Sequence, residues 1–381
     1  MKYVLISGLN IHDNNRGTAA LGYGSVSFLH EKGWLSINQE IIGVRVYKKF
    51  WRRSFHRSES GIIRQNGKEW KYSTCNVFIL QYLLIIKFGI VLPFTKFGHI
   101  IRNTSCVAAI NGGDGFSDIY GTDVFNMRLP LTKVALALKI PHIILPQTLG
   151  PFEKKENLDI AEDILKKSVE VYVRDDKFVS KLREWNVNFS ITKDLSAFMC
   201  PEPWDIRIIQ NSIGLNISGL CYSNKFRTLA GHFDAYPELI SRIIEHFQQK
   251  GRTIYLIPHS YNYKKPEYSN DDLVACKEAY TQLKNKAGVI LIDKDLTSPQ
   301  IKYLISKMSF FIGSRMHANF AAIYTGIPLY GLAYSYKFEG AFVANGIINS
   351  TYMVNKIDNI EIENVIKCID SCYSMSIENN N

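Results

Sequence analysis

FFIGSRMHANFAAIYTGIPLYGL, residues 310–332, contains the pattern that decides the fold. A short apolar strand is predicted at 310–312, followed by the turn Gly313-Ser314 and a helix rich in small residues. A second apolar strand is predicted at 329–332. Two short apolar strands joined by a helix are typical of a βαβ unit, in which both strands lie in one parallel sheet.

The same alternation extends from this stretch towards both ends of the chain. In the second half, strands are predicted at 212–217, 253–258 and 289–292, and a helix begins at Thr297-Ser298-Pro299 with proline in its first turn. In the first half, the predicted strands are 3–7, 107–111, 142–145 and 169–173, and the predicted helices are 18–31, 131–139, 158–167 and 177–185. Such alternation predicts parallel sheets covered by helices.

Two or three domains are expected from a chain of 381 residues, because a domain contains ~100–200 residues. The stretch MCPEPWDI, 199–206, suits a linker. We predict an N-terminal Rossmann-like domain at 1–200 with an insert at 45–94, a C-terminal Rossmann-like domain at 207–355, and a C-terminal helix with a polar tail at 356–381. Two doubly wound α/β domains facing across a cleft form a GT-B-like arrangement, and the cleft is the expected ligand site.

Composition favours a globular protein of the cytoplasm. Apolar residues make up 46% of the chain and charged residues 21%, which is typical of globular domains. The seven cysteines are odd in number and include no C-x-x-C pair, which argues against a disulfide framework and a zinc site. Polar residues interrupt the apolar N-terminus after residue 8, so this segment is predicted to be a strand and not a signal peptide.

The segment 45–94 is basic and then apolar. Its first part, 45–71, contains nine Lys and Arg against two acids, and the run 77–94 is apolar except for Gln81 and Lys87. Eighteen residues are at the lower limit for a membrane span, and Lys87 inside the run argues against spanning. Two interpretations remain: a core helix beside a solvated basic face, or a segment that binds a membrane surface.

Polar residues follow several predicted strands, where ligands bind in open α/β sheets. Arg315 and His317 begin a helix after Gly313-Ser314, so a cation, an imidazole and free N–H groups converge there on an anion. His259 follows another strand. A lone histidine is usually structural, but the turn, the arginine and the helix start together favour a binding site.

Most candidate residues in the first half of the chain have two possible roles, one in binding or catalysis and one purely structural. Asn15-Arg16 leads into a helix start that favours an anion or forms a simple tight turn. Asp114 follows a glycine pair and is either a general acid or base or a cap of the next helix. Gln147 ends a third strand. Arg174 ends a fourth and either faces the cleft or pairs with Asp175 or Asp176, one of which is expected to cap the following helix.

These motifs together resemble the polysaccharide pyruvyl transferase family, from about residue 8 to about residue 346. The matching stretches are NNRGTAA (14–20), GGDG (112–115), PQTLGPF (146–152), VRDD (173–176), PHS (258–260), GSRMH (313–317), TGIP (325–328) and Lys337. Many members carry N-x-G-D-x-A in the first motif, whereas this chain has Thr18 in place of the aspartate. No role is therefore assigned to an acid there.

The resemblance implies a GT-B-like fold and phosphoenolpyruvate as donor. Pyruvate would be transferred as a ketal onto two hydroxyls of a sugar in a surface polysaccharide or its lipid-linked precursor. Arg315 and Arg174 would bind the anionic donor, and Asp114 would act as base on the acceptor. His317 would either protonate C3 or only hydrogen-bond the donor, with another group as the acid. The other candidates, with Lys337, would bind donor or acceptor, and no metal, cofactor or nucleic acid is expected.

Two other functions remain open. A GT-B glycosyltransferase with a nucleotide-sugar donor would use the same helix starts to bind a diphosphate, and fold alone does not decide function. A non-catalytic scaffold at a membrane surface would use the basic segment instead.

Overall fold

The computed structural model describes residues 1–47, 59–335, 337–355 and 357–378, and at Lys337 and Asn359 it describes the backbone only. The chain forms two compact units, one of Met1–Ile11 with Leu21–Cys200 and the other of His12–Ala20 with Pro201–Asn381. Each unit is a Rossmann-like parallel sheet with helices, so the predicted fold class is confirmed.

The first unit begins at the N-terminus and contains eight described strands. They are β1 (Tyr3–Ser7), β2 (Glu40–Tyr47), β3 (Ser60–Gln65), β4 (Lys68–Phe78), β5 (Thr104–Ala109), β6 (His142–Gln147), β7 (Glu170–Val173) and β8 (Ser190–Ile191). Its helices are α1 (Arg16–Glu31), α2 (Ile79–Phe88), α3 (Lys96–Arg102), α4 (Thr122–Arg128), α5 (Pro130–Ala137), α6 (Lys155–Lys167) and α7 (Val179–Glu184). The first turn of α1 belongs to His12–Ala20 and therefore to the second unit.

The sheet of the first unit has the strand order β3-β4-β2-β1-β5-β6-β7-β8. All its pairs are parallel except the β3–β4 hairpin. Along the chain, β2, β3 and β4 are added on one side of β1, and β5 to β8 are then added on its other side. The loops after β1 and β5 therefore lie at the reversal of strand order, where open α/β sheets bind ligands.

Part of the segment 45–94 is built into this sheet, which sequence patterns do not predict. The strands β2, β3 and β4 extend the sheet beyond β1, while residues 48–58 lie outside the described part. The apolar run is divided between β4, the ten-residue α2 and a loop. On α2 only Ile85 is buried, whereas Leu80, Phe88 and Phe94 beyond it are 56%, 69% and 83% exposed.

Across the described residues, no helix combines the length and the apolar character needed to cross a bilayer.

The second unit contains six described strands. They are β9 (Ile213–Asn216), β10 (Ile254–Leu256), β11 (Val289–Leu291), β12 (Phe310–Gly313), β13 (Leu329–Ala333) and β14 (Thr351–Met353). Its helices are α8 (Gly219–Ser223), α9 (Tyr236–Gln249), α10 (Asp272–Gln282), α11 (Ser298–Ile305), α12 (Met316–Ile323), α13 (Lys337–Val343) and α14 (Asn359–Glu378).

The sheet of the second unit is wholly parallel among the described strands, in the order β11-β10-β9-β12-β13-β14. Its strand order reverses between β9 and β12. The helix predicted from Thr297 is present as α11, and Thr297 forms a capping box with Gln300. The predicted C-terminal helix is α14, and its residues Val365, Ile369 and Tyr373 are buried in the core of this unit.

Candidate active site

The turn after β12 is fixed by two asparagines. Asn216, at the end of β9, accepts a hydrogen bond from the Arg315 backbone N–H (2.9 Å), and Asn319 on α12 donates to the Gly313 carbonyl (3.0 Å). A side chain at Gly313 would overlap the Asn319 amide. Only glycine therefore allows β12 to turn this tightly into α12.

The Arg315 guanidinium is held by a buried carboxylate. Its Nε and Nη2 donate to Asp272, and Nη2 also donates to the side chain of Asn270 at 2.8 Å. The Asp272 side chain has no exposed surface, and that of Arg315 is 12% exposed. Burial opposes the charge of Arg315, but Asp272 and the nearby Tyr334 more than offset it and raise its pKa. Arg315 is thus a permanent, rigidly placed cation.

Asp272 also connects three loops of the second unit. Its carboxylate accepts hydrogen bonds from the backbone N–H groups of Gly219, His259 and Ser260, at 2.9, 3.1 and 2.8 Å. The N-cap of α10 is the preceding Asp271. Asp272 therefore does not cap this helix. Its carboxylate instead fixes the positions of both Arg315 and the loop after β10.

His317 lies beside a second histidine in this site. The ring of His317 packs against Gly17, where a Cβ atom would lie 2.6 Å from Nδ1. His259 is buried, and burial lowers its pKa well below the usual range, as do the neighbouring His317, Arg16 and Arg315. Basic groups are therefore concentrated at the start of α12, and His259 itself stays neutral at physiological pH.

Asn15 and Arg16 maintain the local structure of this site. The Asn15 side chain accepts from the Gly17 N–H (3.0 Å), and the Arg16 N–H donates to the His259 carbonyl (3.1 Å). These bonds occupy the helix start that we expected to bind an anion. The Arg16 guanidinium pairs with Asp295 (2.9 Å), donates to the Leu296 carbonyl and packs over an aromatic ring.

Ser314 has a similar structural contact. Its hydroxyl lies 2.6 Å from the Tyr236 hydroxyl, and both side chains are buried. Lys337 begins α13, but its side chain lies outside the described part of the structure.

Asp114 lies in the turn after β5 in the first unit. Its carboxylate accepts a hydrogen bond from the Tyr120 hydroxyl at 2.8 Å. Burial, followed by the charge of Asp114, raises the pKa of Tyr120 to about 12, so this hydroxyl remains a donor. The N-cap of α4 is Gly121. The alternative that Asp114 caps the next helix is therefore wrong.

Arg174 pairs with an acid that the sequence does not indicate. Its Nη1 lies 2.6 Å from the Asp194 carboxylate, and its Nε donates to the Thr148 hydroxyl at 3.0 Å. Asp175 instead accepts from Thr148. The expectation that Asp175 or Asp176 caps α7 is wrong, because the N-cap residue is Phe178.

Gln147 is wholly buried at the end of β6. Its amide N–H₂ group donates to the carbonyls of Ala109 (2.9 Å) and Leu145 (3.0 Å). It therefore connects the ends of β5 and β6, on the edge where Asp114 and Arg174 also lie.

The structure brings the sequence candidates together as two sets. In the second unit these are Asn15, Arg16, His259, Gly313, Ser314, Arg315 and His317, and in the first unit they are Asp114, Gln147 and Arg174. Sequence patterns miss the acids that position the arginines, Asp272 and Asp194. The pair Asp271-Asp272 has the appearance of an ordinary helix cap, and only the fold shows which of the two faces Arg315. No group of three or more His, Cys, Asp or Glu in the described ranges is arranged to hold a metal ion.

Two Rossmann-like units with charged side chains at their strand ends define a GT-B-like protein. The solved structures that resemble it include UDP-GlcNAc 2-epimerase from Methanocaldococcus jannaschii, with 12% identity, TM-score 0.56, and coverage of 97% of this chain and 92% of that one. UDP-GlcNAc 2-epimerase from Neisseria meningitidis bound to UDP-GlcNAc has 12% identity, TM-score 0.51, and coverage of 99% and 94%. At this identity the likeness shows the fold alone.

The family of the protein is shown by a sequence match over most of the chain. The model of the family described as polysaccharide pyruvyl transferase matches residues 15–336, and the chain belongs to this family. No curated protein matches the chain significantly.

Proposed function

We propose that this protein transfers pyruvate from phosphoenolpyruvate, as a cyclic ketal, onto two hydroxyls of a sugar in a surface polysaccharide or its lipid-linked precursor. The observation that carries the proposal is the Arg315–His317 pair at the start of α12, in a chain of the pyruvyl transferase family. A donor with a phosphate and a carboxylate requires fixed cations. The buried ion pair with Asp272 supports this role because it fixes Arg315 in one orientation.

The reaction needs an acid and a base. The enol phosphate of the donor becomes electrophilic at C2 when C3 is protonated, and His317 is the acid that donates this proton. A sugar hydroxyl adds to C2 while Asp114 takes its proton, and the second hydroxyl then displaces the phosphate. Two C–O bonds form, and the bond from C2 to the phosphate oxygen breaks. One hydroxyl proton replaces the proton used at C3, and the other leaves with the phosphate.

We further propose that the enzyme works in the cytoplasm, at the inner face of the membrane. None of the seven cysteines is in a disulfide, which supports a reducing compartment. Exposed Leu80, Phe88 and Phe94 lie in the same segment as the basic stretch 45–71. Apolar side chains beside Lys and Arg favour binding to anionic lipid headgroups, where a lipid-linked acceptor would be found.

The test is donor binding followed by turnover. The purified protein is titrated with phosphoenolpyruvate and, separately, with UDP-GlcNAc, and then incubated with labelled phosphoenolpyruvate and a lipid-linked oligosaccharide fraction. We expect binding of phosphoenolpyruvate and transfer of label with release of phosphate. Binding of UDP-GlcNAc alone would favour a glycosyltransferase, and binding of neither with normal vesicle binding would favour a scaffold.

A further inference from the structure

The turn after β5 contains a buried amide that has no hydrogen-bond partner in the described part of the chain. Asn111, Gly112 and Gly113 have φ values of 48°, 73° and 87°, so three successive residues are left-handed. Asn111 is only 3% exposed, and neither polar atom of its side chain has a hydrogen-bond partner among the described residues. An unpaired buried amide is costly, so its persistence in a glycine turn points to a ligand that satisfies it.

A second unpaired group lies nearby, at the end of the neighbouring strand. Gln147 uses its amide N–H₂ to bind two carbonyls, one of them that of Ala109, two residues before Asn111. Its buried Oε1 has no partner in the part of the chain that the structure describes. This edge of the sheet therefore holds both donors and acceptors that no described residue satisfies.

Arg128 adds a cation to the same turn. It is the last residue of α4, and its guanidinium lies 5.6 Å from the ring centre of Tyr120. The guanidinium packs against Gly112 and Gly115: a Cβ on Gly112 would lie 3.8 Å from Nη2, and one on Gly115 would overlap Nη1.

Unlike Arg174, which pairs with Asp194, Arg128 forms no salt bridge within the part of the chain that the structure describes. In the ranges described, no carboxylate oxygen lies within 4.0 Å of its guanidinium, and its buried Nη1 has no hydrogen-bond partner. A guanidinium that is held in place without a direct ion pair is suited to bind an external anion.

We infer that Arg128, Asn111 and Gln147 form a subsite for an acceptor sugar that carries an anionic group, either a phosphate or a carboxylate. The guanidinium binds the anion in the two-pronged geometry that arginine favours, and the two amides match the donors and acceptors of sugar hydroxyls. Asp114 follows in the same turn, so the proposed base lies beside the hydroxyls. That this sugar is the acceptor rests on the proposed function, whereas the anion site rests on the geometry alone.

The test measures binding of three matched probes: glucose, glucose 1-phosphate and glucuronic acid. Wild-type protein is compared with Arg128→Gln, with Asn111→Asp, which places a competing carboxylate in the turn, and with the exposed control Arg183→Gln. We expect one or both anionic probes to bind more tightly than glucose, and both site variants to lose about tenfold or more of that affinity. The control and the affinity for phosphoenolpyruvate should be unchanged, and melting temperatures verify folding.

Tighter binding of glucose 1-phosphate identifies a phosphate ligand, and tighter binding of glucuronic acid identifies a carboxylate ligand. Equal binding of all three probes, or unchanged binding in both variants, would overturn the inference. Loss of phosphoenolpyruvate binding in Arg128→Gln would also overturn it, because Arg128 would then belong to the donor site. If wild-type protein does not bind phosphoenolpyruvate, the proposed function is wrong, but Arg128-dependent binding of an anionic sugar would still support the subsite.

Discussion

The Asp272 carboxylate holds the Arg315 guanidinium at 2.7 Å and is itself completely buried. The pair joins the start of α10 to the start of α12, and the same carboxylate binds the backbone after β10. Asp272 is a positioning residue, because it acts on a substrate only through Arg315.

Replacing Asp272 with Asn should leave a buried arginine without its counter-charge. We expect the free energy of unfolding to fall by about 3–5 kcal/mol, as for other broken buried ion pairs. Urea unfolding would measure the change. The matched control is Glu363→Gln, whose carboxylate is 50% exposed and pairs with the half-exposed Arg242, and which should cost about 1 kcal/mol or less. An equal loss of unfolding free energy in the two variants would show that burial of the Asp272–Arg315 pair does not increase its contribution to stability.

His317 and Arg315 should affect turnover in different ways. His317→Ala is expected to slow turnover by about 10²–10⁴, because the proton donor is removed. Arg315→Lys should weaken phosphoenolpyruvate binding, since an ammonium cannot reproduce the arginine fork. The control is Arg242→Lys, a half-exposed residue of the same unit that pairs with Glu363. Near-normal kinetics in both site variants would show that Arg315 and His317 have no part in the reaction.

Asp114→Asn should lower turnover far more than donor affinity. A general base on the acceptor contributes about 10²–10⁴ in rate, whereas an amide still accepts the hydrogen bond from Tyr120. Steady-state kinetics together with a phosphoenolpyruvate titration separate the two effects. Asp163→Asn, on the exposed face of α6, is the control. A variant that loses donor binding and keeps its turnover number would contradict the role as base.

Binding to vesicles should depend on the exposed aromatic side chains near α2. Vesicles of phosphatidylcholine with phosphatidylglycerol should bind the protein at low ionic strength and release it as salt screens the charges. The double variant Phe88→Ser and Phe94→Ser should bind about tenfold or more weakly, because two apolar side chains no longer insert. Met375→Ser, an exposed residue of α14, is the control. Equal binding by all forms would argue against this surface.

His142 should make the fold sensitive to acid. It is buried between Ser168 and Thr132, and burial lowers its pKa from 6.5 to about 4. Below about pH 6.5 the unfolded chain therefore binds a proton at His142, whereas the folded chain binds it only near pH 4. The free energy of unfolding should therefore fall by about 3 kcal/mol between pH 6.5 and pH 4 from this residue.

Urea unfolding at several pH values would measure this loss in wild type, in His142→Gln and in the control His99→Gln, an exposed histidine of α3. The loss should be smaller in His142→Gln and unchanged in His99→Gln. A pH profile of His142→Gln that equals that of wild type would contradict the assignment.

Sequence patterns predict the central strands of both sheets because these strands are short, apolar and buried on both faces. They miss β2, β3 and β4 on one side of the first sheet, and the short strands β8 and β14. In β3 and β4, polar residues such as Arg64, Lys68 and Lys71 interrupt the apolar pattern. The fold class depends mainly on the central strands, which explains why its prediction succeeds.

The residues of the candidate site likewise include some that the sequence indicates and some that it does not. Arg315 and His317 can be predicted because a strand, a turn and a helix start follow one another in the sequence. Asp272 lies 43 positions from Arg315, and Asp194 lies 20 positions from Arg174. Such pairings arise only when the sheet brings distant strand ends together, so one sequence cannot indicate them.

The contact between Arg16 and Leu296 joins residues 280 positions apart, and this has a consequence for synthesis on the ribosome. The stretch His12–Ala20 emerges early, but its partners at Tyr261, Asp295 and Leu296 lie in the last third of the chain and are translated much later. At ~5–20 residues per second, the nascent N-terminus waits more than ten seconds for them. During that interval the first turn of α1 has no completed surface to pack on. Translation of residues 201–381 as a separate product would leave Tyr261 without the guanidinium that packs over its ring.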